Sequence, residues 1–135
     1  MPEAVKIVIH YLNGTVLKGY TFDFSPDRPF FHLEANDIGM TEVALKDLKA
    51  VFFVKDFAGD PVYVERRILL DGENPIGRKV KIQFLDGEIL IGTTLNYNLK
   101  RLGFFLAPLD AKSNNLRVFV VINAVKTING VTATA

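Results

Sequence analysis

The chain has 135 residues, 49% of them hydrophobic, with 16 Lys and Arg against 15 Asp and Glu for a net charge of +1. That is enough to bury a core in one domain or two very small ones, and it lacks the cationic excess of a dedicated nucleic-acid or anionic-membrane binder. There is no cysteine, which excludes disulfides, thiolate nucleophiles and thiolate metal sites. There is also no leader pattern in "MPEAVKIVIHYLNG" and no apolar run near the roughly 18–20 residues that span a bilayer, so a soluble, cytoplasmic protein without membrane contact is expected.

From the N-terminus, Ile7, Ile9 and Tyr11 alternate with Val8 and His10, the period of two of a strand with one buried face. Asn13-Gly14 follows, a hairpin signal whose two-residue type I′ form needs positive φ at both positions. The next strand is expected from 15 to about 24. Gly19 interrupts it, and a glycine inside a strand marks a bulge or sharp bend, as at a barrel corner. The loop "SPDRP", the apolar strand "FFHL", a polar loop and closing strands around 43–45 and 48–54 complete a set of five.

The same text then recurs. "YLNGTVLKGYT" from Tyr11 matches "FLDGEILIGTT" from Phe84, an offset of 73 residues that also aligns Ile9 with Ile82, Arg28 with Arg101, Phe31 with Phe104 and Leu33 with Leu106. After Asp37 and Asp110 the second copy carries four extra residues, within "AKSNN". The register then resumes with Val43 on Val120, Leu45 on Ile122, Leu48 on Val125 and Val51 on Ile128. Two copies make a pseudo-symmetric pair rather than a solenoid. Five short strands with one bent member describe a small closed barrel, and closure removes exposed sheet edges. The expected fold is all-β, two tandem five-stranded barrels in 1–54 and 79–130, joined by an ordered strap in 55–78 and ending in a flexible tail in 131–135.

The apolar alternation, Asn or Asp before Gly, Leu two residues before a second Gly, and then an aromatic together resemble the Sm-like barrel. They are especially similar to the Hfq-type bacterial RNA chaperones. The first copy carries this on Ile7, Ile9, Asn13, Gly14, Leu17, Gly19, Phe24, Leu33, Leu48 and Val51. The second carries it on Val80, Ile82, Asp86, Gly87, Leu90, Gly92, Tyr97, Leu106, Val125 and Ile128. SH3-like barrels satisfy much of the same pattern. "FFVKDFAGDPVYVERR" is similar to stretches of uncharacterised bacterial domains, a resemblance that implies no activity.

Fold does not carry function with it. The resemblance implies a Tyr-Lys-His RNA pocket at Ala44, Leu45 and Lys46, and at Val121, Ile122 and Asn123, yet neither copy has an aromatic or a histidine there. Ser25 and Asn98 replace the Sm-type Asp, and the Sm-type Arg-Gly or Lys-Gly is missing. Single-strand binding needs stacking aromatics and backbone-tracking cations, so that pocket is not encoded. Arg66, Arg67, Arg78, Lys79 and Lys81 form a separate basic concentration, diluted by Glu65, Asp71 and Glu73. Arg28 and Arg101 occupy equivalent loops. The plainer reading places Lys79 and Lys81 on a solvent-facing strand face, with Arg28 and Arg101 closing their own loops on a carbonyl or acid.

No catalytic constellation stands out. His10 and His32 are the neutral-pH acid–base groups. Both fall on expected strands without a partner motif and read as structural or exposed. Asp23, Ser25 and Asp27 faintly resemble the PilZ cyclic-dinucleotide motif, but the preceding arginine stretch and the glycine at position 28 are absent, so "SPD" reads as a turn. "DAKSNN" lacks EF-hand spacing, and the repeated glycines are turn and bend residues rather than a phosphate cradle. Neither metal nor cofactor is expected. The strap is too apolar for a spacer. Phe57, Val62, Tyr63 and Val64 make it the candidate partner surface, against the plainer reading of packing between the barrels. The expectation is a non-enzymatic interaction module that engages a protein partner or its own copies. Alternatives are an RNA- or DNA-binding protein using Arg28, Arg101 and the basic region, and a nucleotide-sensing module with a ligand between the barrels.

Overall fold

Alternation of side chains fixes where each strand puts its apolar face. In a computed structural model that describes residues 4–58, 77–95, 98, 100–110, 112–129 and 131–132, Ile7 and Ile9 of β1 (Val5–Tyr11) and Val80 and Ile82 of β6 (Arg78–Phe84) are buried while the adjacent Lys6, Lys79 and Lys81 are exposed. The other strands are β2 (Val16–Thr21), β3 (Phe30–Ala35), β4 (Gly39–Ala44), β5 (Leu48–Val54), β7 (Ile89–Thr94), β8 (Gly103–Pro108), β9 (Asn115–Val121), β10 (Val125–Ile128) and β11 (Val131–Thr132). One-turn 3-10 helices, Leu45–Asp47 and Ile122–Ala124, lead into β5 and β10. The described residues contain no α-helix, and none is long and apolar enough to cross a membrane.

The two hairpin turns differ from the expected two-residue form. Only Gly14 and Gly87 take positive φ, 92° and 93°. Gly14 N–H donates to Tyr11 O at 3.0 Å and Gly87 N–H to Phe84 O at 2.9 Å, which is a longer loop with the glycine in the left-handed seat. The cause lies in the residue before it. The side chains of Asn13 and Asp86 accept the N–H two residues on, Thr15 and Glu88, each at 2.9 Å. A side chain engaged this way substitutes for a backbone turn.

The repeat extends to the hydrogen bonds. Leu12 N–H donates to Asp47 O at 2.9 Å and Leu85 N–H to Ala124 O at 2.8 Å; Leu45 N–H donates to Pro29 O and Ile122 N–H to Leu102 O. Gly19 and Gly92 do not interrupt long strands, because β2 and β7 end at Thr21 and Thr94. They admit the neighbouring backbone instead. A Cβ on Gly19 would sit 2.2 Å from Glu34 O of β3, and one on Gly92 2.3 Å from Ala107 O of β8.

All eleven strands join in one antiparallel sheet, ordered β11-β10-β6-β7-β8-β9-β5-β1-β2-β3-β4. The joint is β5 against β9, with Ala50 opposite Val120 and Val51 opposite Phe119. Every residue of β5 is buried, because alternation feeds two cores at once. Val51 and Phe53, with Phe119 and Val121 of β9, pack with Ile7, Ile9, Phe31 and Leu33. Ala50, Phe52 and Val54, with Val118 and Val120, pack with Val80, Ile82, Phe84 and Leu106. The two halves therefore share a two-strand wall within a single sheet.

Among the described residues β4 pairs with β3 alone, so it is one edge of the sheet. The other edge corrects the expected flexible tail: Val131 and Thr132 pair with Ile128 and Thr127. Asn129 makes the turn at φ 51°, a conformation that asparagine tolerates. Its backbone N–H and side-chain oxygen bond Lys81 O and Lys81 N–H at 2.8 and 2.7 Å. Most of the expected strap, 59–76, lies outside the described residues, as do 133–135.

Gly19→Ala is expected to lower the unfolding free energy by about 1–3 kcal/mol, the usual range for overpacking, seen as a lower urea midpoint by circular dichroism with an unchanged slope; a wild-type midpoint would show that β3 moves aside freely. Phe119→Ala, which empties part of the shared wall, is expected to cost about 3–5 kcal/mol and to shift one common transition for both halves rather than splitting it in two.

Candidate functional site

The structure distributes the residues singled out by sequence. Arg28 and Arg101 close equivalent loops through their backbones, donating N–H to Ser25 O at 3.3 Å and Asn98 O at 3.0 Å. The Arg101 guanidinium reaches across the halves to Asp27 Oδ1 at 3.3 Å, with the two side chains 64% and 71% exposed. A pair that open to solvent contributes at most about 1 kcal/mol. Arg78, Lys79 and Lys81 are exposed on β6, and strand alternation puts only Lys79 and Lys81 on a common outward face. Arg66, Arg67, Val62, Tyr63 and Val64 lie outside the described residues. Phe57 is half-buried against the first half: its ring meets Tyr20 edge-on at 5.4 Å, and its carbonyl accepts from Lys18 Nζ at 3.0 Å.

Sequence reading missed Arg117, which the fold brings to Arg101. A cleft of about 550 Å³ opens along the seam, lined chiefly by Arg101, Arg117, Thr93, Asn98 and Phe105, with Pro26 from the first half on its rim. Phe105 and Phe119 of its lining belong to a larger aromatic cluster. Phe24, beyond the end of β2, folds back to within 5.2 Å of the Phe31 and Phe119 rings and 5.4 Å of Phe53. Phe105 lies 5.1 Å from Phe119. Over this cluster sits the Arg117 guanidinium, 4.2 Å from the Phe105 centroid and 4.5 Å from Phe53, distances at which a cation is attracted by a ring face. The available signal was an arginine inside the otherwise apolar run of β9, at the position where the repeat places Met40.

A second cross-half contact centres on Lys49 of β5, whose side chain is only 10% exposed. Its Nζ donates to Asp86 Oδ2 at 2.8 Å and Glu88 Oε1 at 2.5 Å and lies 4.8 Å from the Phe84 ring. The first-half counterparts of the two acids are Asn13 and Thr15, so these charges belong to the seam and not to the repeat. Burial opposes the Lys49 charge, yet the hydrogen bonds it donates to Asp86 and Glu88 outweigh it and raise its pKa. The Lys49 hydrogen bond holds Asp86 below its ordinary value. His10 packs its ring 4.7 Å from Phe52. Burial first, and then the Lys49 charge, lower its pKa, while Glu88 and Asp86 pull the other way.

His32 is exposed, as expected, but it has partners: its Nδ1 lies 2.7 Å from Asp23 Oδ2 and its Nε2 3.9 Å from Glu42. The Asp23 hydrogen bond raises its pKa. Beside it a shallow groove of about 300 Å³ is lined by Tyr20, Phe22, Asp23, His32, Glu34 and Met40. "SPD" is the turn its residues imply, with Ser25 Oγ accepting from Asp27 N–H at 3.4 Å. Among the described residues no three His, Cys, Asp or Glu side chains are grouped to hold a metal.

A model of the family of unknown function DUF6982 matches residues 3–132, and the chain belongs to that family. No curated protein and no solved structure matches it.

The seam charges give acid sensitivity a defined origin. His10 titrates below its ordinary 6.5 in the folded chain, so unfolding takes up a proton as pH drops through 6.5, and stability declines over that window. Asp86, held below 3.8, contributes stability above that value and loses it as pH falls further. His10→Gln is expected to flatten the stability–pH curve between about pH 7 and pH 5 while leaving the more acid limb; Asp86→Asn is expected to do the reverse. Urea midpoints across the pH range read both slopes.

Proposed function

We propose that this family member is a non-catalytic interaction module, two tandem Sm-like small barrels fused through a common wall, which engages a protein partner by strand addition at β4. The five-strand sequence of each half, its 3-10 turn before the last strand and the duplicated hydrogen bonds support the barrel reading. One observation carries the binding reading. The repeat counterpart of β4 is β9, and β9 is covered by β5 along its length, whereas β4 has only β3 among the described residues. An uncovered edge offers a row of backbone donors and acceptors to an incoming extended segment.

The surroundings favour a partner over an open-ended series of copies. Where β9 carries Phe119, β4 carries Glu42, an exposed charge of the kind that discourages indiscriminate edge pairing. The strand that a second copy would offer, β10, already has β11 on its outer side. Beside β4, the side chains of Phe22, Phe30, Ile38 and Met40 are about half-exposed or more, near the carboxylates of Asp23, Glu34 and Glu42. That chemistry suits an extended segment of alternating apolar and basic residues. Nucleic-acid binding is the second reading; the exposed Lys79 and Lys81 support it, and it requires binding that falls steeply with salt.

The chain is expected to sediment as a monomer, and removing residues 130–135, which frees the outer edge of β10, to introduce concentration-dependent association. A photo-crosslinking residue at position 40 is expected to capture a partner whose affinity drops roughly tenfold or more in Glu42→Arg and is unchanged in Lys126→Glu on the far edge. Binding indifferent to Glu42→Arg would remove the β4 reading.

A further inference from the structure

We infer that the seam cleft is a binding site for a small organic anion with a flat apolar body, a carboxylate or phosphate carried on an aromatic or similarly planar group. The inference is independent of the β4 edge and rests on how the cleft is lined. Two guanidiniums, Arg101 and Arg117, share it, and among the described residues no carboxylate lines it. Its remaining surface is mainly apolar, from Leu95, Phe104, Phe105 and Leu106, with polar groups from Thr93 and Asn98. A volume of about 550 Å³ falls within the usual range of small-molecule sites, which combine apolar walls with a few polar groups.

The two arginines are held differently, and both remain able to accept an anion. Arg117 is fixed by the faces of Phe53 and Phe105. A planar guanidinium on a ring face keeps its in-plane N–H groups free for a carboxylate or phosphate fork. Among the described residues no carboxylate lies within ion-pair distance of it. Arg101 has one acid, Asp27 at 3.3 Å, and both groups are well exposed. Solvent and salt screen such a contact, so an incoming anion competes with it on favourable terms.

The repeat does not require Arg117, and it gives the arginine shared by both copies a cleft only in the second. The counterpart of Arg117 is Met40, and Arg28, the counterpart of Arg101, is not part of this lining. Fold maintenance alone was satisfied in the first half with methionine at that place. Asp27, contributed by the first half, acts in this scheme as a built-in competitor for Arg101. Its removal therefore distinguishes ligand binding from packing.

The experiment uses the full chain and five probes in isothermal titration, with side-chain NMR of the arginine Nε–Hε groups: naphthoate and its neutral analogue naphthalenemethanol, adenosine monophosphate and adenosine, and inorganic phosphate. At least one anion is expected to bind with a dissociation constant below about 1 mM and to shift the Arg101 and Arg117 signals, its neutral analogue being about tenfold weaker. The preferred anion tells carboxylate from phosphate, and inorganic phosphate alone reports how much the apolar body contributes. Arg101→Gln and Arg117→Met are expected to weaken binding about tenfold each, and Asp27→Asn to strengthen it several-fold. If Arg117→Met does not fold, the two surface variants still decide. Failure of both anions to bind, binding equal to that of the neutral analogues, or no response to Arg101→Gln and Asp27→Asn would overturn the inference. Glu42→Arg is expected to leave it untouched, so failure of the β4 reading and failure of this one are separable.

Discussion

Everything in this molecule depends on one pair of strands, β5 against β9. A strand in a half-solvated sheet puts every second residue in water. β5 has no such residue: all seven are buried, because its two faces serve two different cores. That explains its composition, "LKAVFFV", in which the one charged residue is Lys49, anchored to Asp86 and Glu88 of the other half. Each large apolar side chain so placed contributes about 1.5–3 kcal/mol of burial, and the contributions reach both cores together. β10, its repeat counterpart, walls only one core and correspondingly keeps Lys126 exposed within four residues. The difference between two strands of common pattern is a difference in how many cores each one lines.

A duplicated chain separates what folding demands from what it does not. Positions alike in both halves are fold-making: the turn glycines, the close-approach glycines Gly19 and Gly92, and the loop bonds made by Arg28 and Arg101. Positions that differ mark the seam and its surroundings. Asn13 and Thr15 became Asp86 and Glu88, which meet Lys49. Met40 corresponds to Arg117 over the aromatic cluster, and Glu42 to Phe119 in the wall. These divergences fall on the contact between halves, on the adjoining cleft and on the free edge.

The all-β class, the repeat and the strand positions were legible because each follows from short-range pattern: period-two alternation, Asn-Gly or Asp-Gly, and a fixed offset. What failed to show was long-range. Nothing in "LRVFVV" states that β9 lies against β5, so one continuous sheet could not be told from two self-closed ones, and Arg117 could not be placed beside Arg101. The turn form was misjudged for a local reason, since Asn13 and Asp86 can either take positive φ or bond the backbone ahead, and they do the second. The end of the chain also carries a short-range signal. Asn129-Gly130 is the same dipeptide as Asn13-Gly14, and Asn129 likewise precedes an antiparallel pairing, of Val131 and Thr132 with Ile128 and Thr127.

Joining two units by laying the last strand of one against the fourth strand of the next is a head-to-tail contact, and such contacts leave a complementary pair of edges unsatisfied however many units are added. Two units leave β4 at one end and β10 at the other. Unless the rotation closes a ring, identical chains with both edges open would grow as filaments. Each end of this sheet carries something that opposes growth: an exposed glutamate on β4, and on β10 a short returning strand held by Asn129 on Lys81. The two devices are not equivalent. β11 pairs with Thr127 and Ile128 at the end of its edge, whereas Glu42 leaves the hydrogen-bonding positions of β4 vacant among the described residues and changes only what sits beside them. A paired residue has no backbone group left for another strand, whereas a charge beside an unpaired edge disfavours pairing without occupying it. The two ends of the sheet therefore differ in kind: among the described residues one edge strand is paired only on its inner side and carries a charge, and the other is partly paired on its outer side as well.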